Sequence, residues 1–360
     1  MDIETPKVAL VHDFLTQYGG AERVLTAFHE LFPQAPVYTL VYDKKKLGRR
    51  FSGWNIRTSF IQKLPGGIKF YKRYLPLMPY AAESLDLSNY ELILSDSSAF
   101  AKGVNAKARH ICYCHTPTRY LWGEMDEYLK NYPAAGLLKR YLRTVIKPRD
   151  YAAAQKPDVL VANSKTVQER IKRYYERDSE IIYPPVDTEF FRPSAPKRDY
   201  YLTGGRLEPY KKFELAVRAF NELRLPLKVV GAGSMGEELK KMAGEHIEFT
   251  GRVSDSELRD LYSGAKAFVF PALEDAGISV LESQACGTPV IGFNRGGTAE
   301  LVSDGRGGIL FDTQSAQSIV EAVRRFERSD FEAGSLRALA LPYDKEKFKR
   351  KILNLCEAEI

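Results

Sequence analysis

The segment KVALVHDFLTQYGGAERVLTAFHELF, residues 7–32, gives the first indication of the fold class. An apolar run of strand character leads through two glycines into a segment whose apolar residues recur every three or four positions, the period of a helix. The stretch DYYLTGGRLEPYKKFELAVRAFNELR, residues 199–224, repeats this order, and further strand and helix patterns follow each of the two. Such alternation predicts parallel sheets with helices on both faces. We therefore predict an α/β fold with two Rossmann-like, doubly wound domains that face a central cleft.

The chain has the length of two domains, at 360 residues. The segment IIYPPVDTEFFRPSAPKRD, residues 181–199, is rich in proline, which favours a linker over a helix. We predict an N-terminal domain over residues 1–195 and a C-terminal domain over residues 196–340. The remaining residues, 341–360, are expected to form a helix that packs back toward the N-terminal domain.

The composition excludes several classes of protein. With 44% apolar and 28% charged residues, the chain is neither disordered nor fibrous. The sequence has no run of about 20 apolar residues, which a membrane-spanning helix needs. Its first residues do not resemble a secretory signal, and its four cysteines suggest a reducing compartment. We therefore expect a cytoplasmic protein.

Positive charge is concentrated between residues 41 and 80. This segment has ten basic residues and one acidic residue, with aromatic and aliphatic side chains between them, and the net charge of the chain is +7. Basic and aromatic residues together suit an anionic membrane surface or nucleic acid, and a solvated face without a partner is the alternative. Because no nucleic-acid-binding signature is present, we expect no nucleic acid partner. Lys69, Lys72 and Arg73 are the candidate membrane or acceptor contacts.

Two glycine-containing turns each follow the first strand of a predicted domain. Gly19 and Gly20 precede a helix, where glycine lets backbone N–H groups approach an anion, although a plain turn would have the same sequence. In the second domain, Gly205 is followed by Arg206 and, five residues later, by Lys211. Two cations beside a helix N-terminus favour a diphosphate ligand. Charge on a surface loop is the alternative.

Two glutamates and a histidine complete the candidate site. Glu274 and Glu282 are separated by seven residues and follow the strand-like run AFVFPA. Carboxylates accept paired hydrogen bonds from vicinal hydroxyls, as on a sugar or a ribose, and the amides near Gly277 and Ile278 could hold further groups. His115 lies at the end of another strand-like run, where a ligand-facing role and a structural role are equally frequent.

The sequence Gly231-Ala-Gly233-Ser-Met-Gly236 matches the dinucleotide-binding pattern G-x-G-x-x-G. It follows the second strand of its domain, whereas the pattern belongs on the first strand, and no acidic residue clearly ends a following strand to hold a ribose. A tight turn from strand to helix accounts for the glycines equally well. A dinucleotide-dependent oxidoreductase is therefore the weakest interpretation.

Taken together, the motifs resemble the retaining glycosyltransferases of family 4, which have the GT-B fold. The resemblance runs over nearly the whole chain, through GGAE (19–22), NS (163–164), PPVD (184–187), GRLEPYKK (205–212), FTGRVSDSEL (249–258) and EDAGISVLESQACGTPVI (274–291). The stretches SAFAKGV (98–104) and YCHTPTRYLW (113–122) look like bacterial mannosyltransferases of O-antigen and exopolysaccharide assembly. The resemblance implies that the N-terminal domain binds the acceptor and that the C-terminal domain binds a nucleotide sugar, with GDP-mannose as the expected donor.

The resemblance also implies a role for each matching residue. Arg206 and Lys211 would stabilise the departing diphosphate, while Glu274 and His115 would contact the donor sugar. Glu282 would bind the ribose, and the base would lie near Arg252 and Val253. Further donor contacts would come from Gly19, Gly20, Gly205, Gly277 and Ile278. Because the two cations would take the place of a divalent ion, we expect neither a metal nor a cofactor.

The family's stereochemistry is retention, and we expect front-face attack because no carboxylate is recognisable as a covalent nucleophile. The expected acceptor is a glycan or a lipid-linked glycan at the inner face of the cytoplasmic membrane. The alternatives are a transferase that uses a UDP sugar such as UDP-glucose, a GT-B epimerase, and a binding module without catalysis. The complete set of two cations and two glutamates argues against the binding module.

Overall fold

The structure is a computed structural model that describes residues 6–123, residue 125 and residues 135–358. The chain divides between Pro184 and Pro185 into two compact units, and the residues from Phe348 onward belong to the first unit. In that unit the ring of Phe348 stacks on Phe28, with the ring centroids 6.0 Å apart. None of the helices among the described residues is both long and apolar enough to cross a membrane.

The division between the units lies about ten residues before the boundary at residue 195 that we predicted. The residues between the two positions pack within the second unit. The ring of Phe191 lies edge-on to Tyr262, and the Ser194 amide donates to the Ser263 hydroxyl at 3.1 Å. Proline content marks an extended segment, but tertiary contacts decide the unit to which that segment belongs.

A parallel sheet of seven strands forms the centre of the first unit, in the order β3-β2-β1-β4-β5-β6-β7. The strands are β1 (Val8–Leu15), β2 (Val37–Tyr42), β3 (Ile56–Thr58), β4 (Leu92–Ser97), β5 (Arg109–Cys114), β6 (Val159–Ala162) and β7 (Glu180–Ile181). Its helices are α1 (Gly20–Leu31), α2 (Lys44–Leu47), α3 (Met78–Glu83), α4 (Arg119–Trp122), α5 (Ala135–Tyr141), α6 (Lys147–Ala154) and α7 (Lys165–Tyr175).

The second unit contains a parallel sheet of six strands, in the order β10-β9-β8-β11-β12-β13. These are β8 (Tyr201–Arg206), β9 (Leu227–Ala232), β10 (Ile247–Gly251), β11 (Phe268–Phe270), β12 (Val290–Phe293) and β13 (Gly308–Phe311). The helices are α8 (Phe213–Leu223), α9 (Gly236–Met242), α10 (Asp255–Gly264), α11 (Ile278–Ala285), α12 (Gly296–Leu301), α13 (Ala316–Phe326) and α14 (Ala333–Ala340). The last helix, α15 (Lys345–Glu357), begins in the second unit and continues into the first.

The predicted α/β class is confirmed. Inner strands are buried on both faces, because helices cover a parallel sheet from two sides; every residue of β4 is buried, for example. The two edge strands β3 and β7 have no counterpart in the sequence prediction. They are three and two residues long, which is too short to show a periodic pattern.

Candidate functional site

The strand order of the second unit reverses between β8 and β11. From β8 the chain winds outward through β9 and β10, and from β11 it winds in the other direction through β12 and β13. Ligands of open α/β sheets bind beyond the carboxyl ends of the strands at such a reversal. Arg206 is the last residue of β8, and the loop that contains Glu274 follows β11. Two of the predicted motifs therefore lie at this position, although they are far apart in the sequence.

Lys211 and Glu274 are in direct contact. The Lys211 ammonium donates to Oε1 of Glu274, and both side chains are mostly buried, at 13% and 21% exposed. The Glu274 carbonyl accepts from the Gly297 amide at 2.8 Å. A Cβ atom at the neighbouring Gly296 would lie 2.3 Å from this carbonyl oxygen, so a glycine is needed where α12 approaches the loop.

Tyr210 contacts both candidate cations. Nη2 of Arg206 donates to the Tyr210 hydroxyl at 2.8 Å, and the Lys211 ammonium lies 5.4 Å from the centroid of the Tyr210 ring. Arg206 itself is exposed. The sequence analysis missed Tyr210, although its position between the two cations in GRLEPYKK was a usable signal.

The second half of the glutamate motif forms the start of α11. Gly277 is the residue before the helix and has a φ of +65°, a left-handed conformation that favours glycine. Glu282 is only 3% exposed, and the Tyr262 hydroxyl donates to its Oε2 at 3.5 Å. Ile278, the first helical residue, is half-buried. The ribose contact of Glu282 stays a prediction, and its carboxylate presents little surface within this unit.

The segment predicted to lie near the base follows the edge strand β10. Arg252 is exposed and Val253 is half-buried. Immediately after them, the Ser254 hydroxyl accepts from the Glu257 amide at 3.2 Å, and the Ser254 amide donates to Oε2 of Glu257 at 2.7 Å. This reciprocal pair caps α10. Ser254 and Glu257 of the FTGRVSDSEL motif therefore stabilise the start of that helix.

Close backbone packing accounts for the first two of the three glycines of the dinucleotide-like pattern. A Cβ at Gly231 would lie 1.9 Å from the carbonyl oxygen of Gly205, and one at Gly233 would lie 2.4 Å from that of Leu207. Gly205 has a φ of +139° and is exposed. Gly231 and Gly233 are therefore needed for the close contact between the backbone of residues 231–233 and the backbone of residues 205–207, whether or not a ligand binds there.

In the first unit, the strand order reverses between β1 and β4, and a buried cluster of charged groups lies at that reversal. The carboxylate of Asp96 accepts at Oδ1 from two histidine rings, Nδ1 of His12 at 2.6 Å and Nε2 of His115 at 3.0 Å. Nε2 of His12 also lies 3.7 Å from Oε1 of Glu22. The predicted residue His115 thus belongs to a network whose other members the sequence analysis did not identify.

The opposite charges of His12 and Asp96 stabilise the ionised forms of both side chains. Burial by itself would lower the pKa of His12, but the charge and hydrogen bond of Asp96, together with Glu22, raise that pKa well above its ordinary value. Burial by itself would raise the pKa of Asp96, but the charge of His12 and the hydrogen bonds from both histidines lower it. The structure therefore favours a His12 cation between two carboxylates. The polar residues at the ends of the apolar runs VALVHDF and LILSDS were the signal for it.

The GGAE turn begins α1, with Gly20 as its first residue. The amide of Gly19 donates to Oε2 of Glu22 at 2.7 Å. In this structure the Gly19 N–H group therefore serves to cap the helix, and the predicted contact between Gly20 and a phosphate stays a prediction.

The SAFAKGV motif has a structural role as well. Asp13 accepts from four successive amides after β4, those of residues 98–101, at 2.6 to 2.8 Å. Lys102 follows with only 1% of its surface exposed, and its ammonium donates to Oδ1 of Asp150 at 2.6 Å. Asp150 also accepts from Thr118 and Trp122, each at 2.7 Å. A single buried carboxylate therefore connects this motif with YCHTPTRYLW.

The predicted membrane contacts Lys69, Lys72 and Arg73 are all exposed. The Phe70 ring among them is 39% exposed, and the Arg73 guanidinium lies 4.4 Å from its centroid. Other exposed apolar side chains of the same segment are Phe60, Ile68, Leu77 and Tyr80. Basic and apolar side chains thus share the surface of this segment, as an interfacial segment requires.

Two doubly wound units, each with polar groups at its strand-order reversal, define a two-unit α/β protein with parallel sheets. The sequence model of the Glycosyltransferase Family 4 matches residues 18–190, and that of the Glycosyl transferases group 1 matches residues 186–340. Together they extend over nearly the whole chain, and the chain belongs to the family 4 glycosyltransferases. The predicted family is therefore confirmed.

Curated relatives are similar over part of the chain. A D-inositol 3-phosphate glycosyltransferase of Nocardioides sp. is 30% identical over 224 residues, which are 51% of this chain and 49% of that protein. A GDP-mannose-dependent alpha-(1-6)-phosphatidylinositol monomannoside mannosyltransferase of Mycolicibacterium smegmatis is 33% identical over 174 residues, 40% of this chain and 46% of that protein. The chain thus spans about half the length of the curated relatives it matches.

Solved structures confirm the GT-B fold. HepE of Anabaena, in complex with UDP-glucose, has a TM-score of 0.72 at 17% identity, over 98% of this chain and 99% of its own. The sucrose-phosphate synthase of Thermosynechococcus elongatus has a TM-score of 0.75 at 16% identity, over 97% of this chain and 98% of its own. At these identities the likeness establishes the fold alone.

Proposed function

We propose that this protein is a retaining glycosyltransferase that moves mannose from GDP-mannose to a glycan or a lipid-linked glycan. The observation that carries the proposal is the contact of Lys211 with Glu274 at the strand-order reversal of the second unit, where Arg206 ends β8, in a chain of glycosyltransferase family 4. The choice of GDP-mannose is supported by the relative named as GDP-mannose-dependent.

The proposed chemistry is assistance to a leaving group. When the bond between the sugar and the diphosphate breaks, negative charge grows on the phosphate oxygens, and fixed cations stabilise it without reorganising. Arg206 and Lys211 supply this charge in place of a divalent ion. Glu274 accepts hydrogen bonds from sugar hydroxyls, and the amides at the start of α11 bind further polar groups of the donor.

We propose that the acceptor attacks on the same face from which the diphosphate leaves. The departing phosphate oxygen takes the proton of the acceptor hydroxyl, and the hydroxyl oxygen forms the new bond to the anomeric carbon with retained configuration. No enzyme carboxylate forms a covalent intermediate in this scheme.

The donor is tested by thermal unfolding with GDP, GDP-mannose, UDP, UDP-glucose and NAD, each with and without a chelator. A ligand that binds only the folded protein raises the midpoint according to its concentration relative to its dissociation constant. We expect GDP and GDP-mannose to raise the midpoint and the chelator to leave the increase unchanged. An increase with UDP compounds alone would replace the donor by a UDP sugar, and an increase with NAD alone would contradict the proposed function.

We propose that the acceptor is reached at an anionic membrane, through the basic and apolar surface around Phe70. Lipid-surface attraction is worth about 1 kcal/mol per basic residue. The triple variant Lys69→Glu, Lys72→Glu, Arg73→Glu should therefore bind phosphatidylglycerol vesicles on the order of 100-fold more weakly in co-sedimentation. Added salt should also weaken wild-type binding.

The matched control for this experiment places three charge reversals in the second unit, at Arg218, Lys241 and Arg328, all of which are exposed. It changes the net charge by the same amount. If the two triple variants lose vesicle affinity equally, the loss is caused by the change in net charge, and the proposed membrane surface is wrong.

A further inference from the structure

We propose that Asp96 is a positioning residue for His115: its carboxylate holds the proton of His115 on Nε2, and His12 keeps that carboxylate ionised. The proposal deepens the function proposed above, in which His115 contacts the donor sugar. It rests on the two hydrogen bonds that Oδ1 of Asp96 accepts, at 2.6 Å from His12 and 3.0 Å from His115.

The geometry determines which nitrogen of His115 carries the proton. A carboxylate can only accept, so a ring nitrogen 3.0 Å from it must be an N–H donor. In neutral His115 the proton then lies on Nε2, and Nδ1 is left with a lone pair. That nitrogen can accept a hydrogen bond from a hydroxyl group such as those of a sugar. In other proteins as well, the partner of one ring nitrogen determines the state of the other.

The arrangement is rigid because it is built into the sheet. His12 and Asp96 are direct register partners on the adjacent parallel strands β1 and β4, and they are 3% and 1% exposed. The His115 amide donates to the Ser97 carbonyl at 2.8 Å, which continues the pairing of β5 with β4. The side chain of His115 is 15% exposed, the largest value of the three. His115 is therefore the member of the cluster that a ligand can reach.

His12 accounts for the ionised state of Asp96. A buried carboxylate without a cation would take up a proton, and a protonated carboxyl group could donate to His115 instead of accepting from it. The titratable groups that interact with Asp96 are His12 of β1, Cys112 and Tyr113 of β5, and His115. Glu22 of α1 faces the other side of His12. Oδ2 of Asp96 is buried and has no hydrogen-bond partner among the described residues, so Oδ1 carries both contacts.

The first test is nuclear magnetic resonance of the full-length, ¹⁵N-labelled protein above the ordinary histidine pKa. The chain has five histidines, and the spectrum of His115→Gln identifies the His115 signals. We expect a slowly exchanging, downfield Nε2–H proton for His115, and we expect Asp96→Asn to lose it. A His115 ring protonated only on Nδ1 in the wild type would overturn the proposal, and this result needs no variant that folds poorly.

The second test is kinetic and separates positioning from a general loss of structure. Asp96→Asn should lower kcat by roughly 100-fold or more while the donor KM changes little, because a wrongly protonated histidine impairs the reaction more than binding. His12→Gln should retain more activity near neutral pH than Asp96→Asn does. Its activity should fall on acidification, because without the His12 cation Asp96 takes up a proton at a higher pH than in the wild type.

The outcomes remain distinguishable if the proposed function fails. If the wild-type protein transfers no sugar, the nuclear magnetic resonance experiment still determines which ring nitrogen of His115 carries the proton. Unchanged His115 signals in Asp96→Asn, or a pH profile of His12→Gln identical to that of the wild type, would contradict the proposed roles of Asp96 and His12. This conclusion would hold even if transfer is confirmed.

Discussion

Replacing Arg206 by alanine is expected to lower transfer turnover by about 10²- to 10³-fold, and Lys211→Ala should have an effect of similar size. Each substitution removes a cation that stabilises the diphosphate as it departs. We therefore expect kcat to decrease by a larger factor than KM changes. The measurement is release of the nucleoside diphosphate together with formation of the glycosylated acceptor, under saturating donor. Either variant with near-normal turnover would contradict the proposed leaving-group assistance.

The control for this pair is Arg218→Ala. Arg218 is an exposed residue of α8. Its replacement by alanine removes one positive charge from the same unit at a position outside the candidate site. Its turnover should equal that of the wild type. Arg206 is exposed, and substitutions at exposed positions usually change the free energy of unfolding by no more than about 0.5 kcal/mol, so Arg206→Ala should leave the stability nearly unchanged. A large fall in the unfolding midpoint would show that Arg206 supports the fold.

Replacing Glu274 by glutamine is expected to have two opposite effects. Transfer should fall by about 10²-fold or more, because the sugar loses a charged hydrogen-bond acceptor. Binding of free GDP should become roughly 3- to 10-fold tighter, because Lys211 is paired with Glu274 in this structure and a neutral amide holds the ammonium less strongly. The measurements are turnover and the dissociation constant of GDP, by calorimetry.

The opposite signs make this prediction specific. A residue that only supports the fold would weaken both GDP binding and transfer when replaced. Glu238→Gln is the matched control, since Glu238 is an exposed residue of α9 and should change neither quantity. GDP binding that weakens in Glu274→Gln would contradict the view that Glu274 and the diphosphate compete for Lys211.

The repeated strand–turn–helix patterns were sufficient to predict the fold class. Segments such as β1 and β8 begin with apolar residues and lead through glycines into an amphipathic helix, and this local order is enough to predict parallel sheets. The position of the division between the units was less accurate. Phe191 and Ser194 look like linker residues in the sequence, yet contacts with α10 place them in the second unit.

The site was predictable to the extent that its residues lie in recognisable motifs. Arg206, Lys211 and Glu274 could be selected because glycines and a strand precede them. Their pairing could not be predicted, since Lys211 and Glu274 are 63 residues apart in the chain. They meet because β8 and β11 are neighbours in the sheet.

The cluster of His12, Asp96 and His115 illustrates the same limit. His12 and Asp96 are 84 residues apart, and each alone is a polar residue near the end of an apolar run. Neighbouring parallel strands bring them into register, and burial then makes their charges depend on one another.

The fold class could be predicted from local apolar patterns, the family from the resemblance of the motifs, and the kinds of charged group at the candidate site from the residues in those motifs. The contacts of Lys211 with Glu274, of Tyr210 with Arg206, and of Asp96 with two histidines were visible only in the folded chain. Strand order, which local patterns do not specify, determines which strand ends become neighbours.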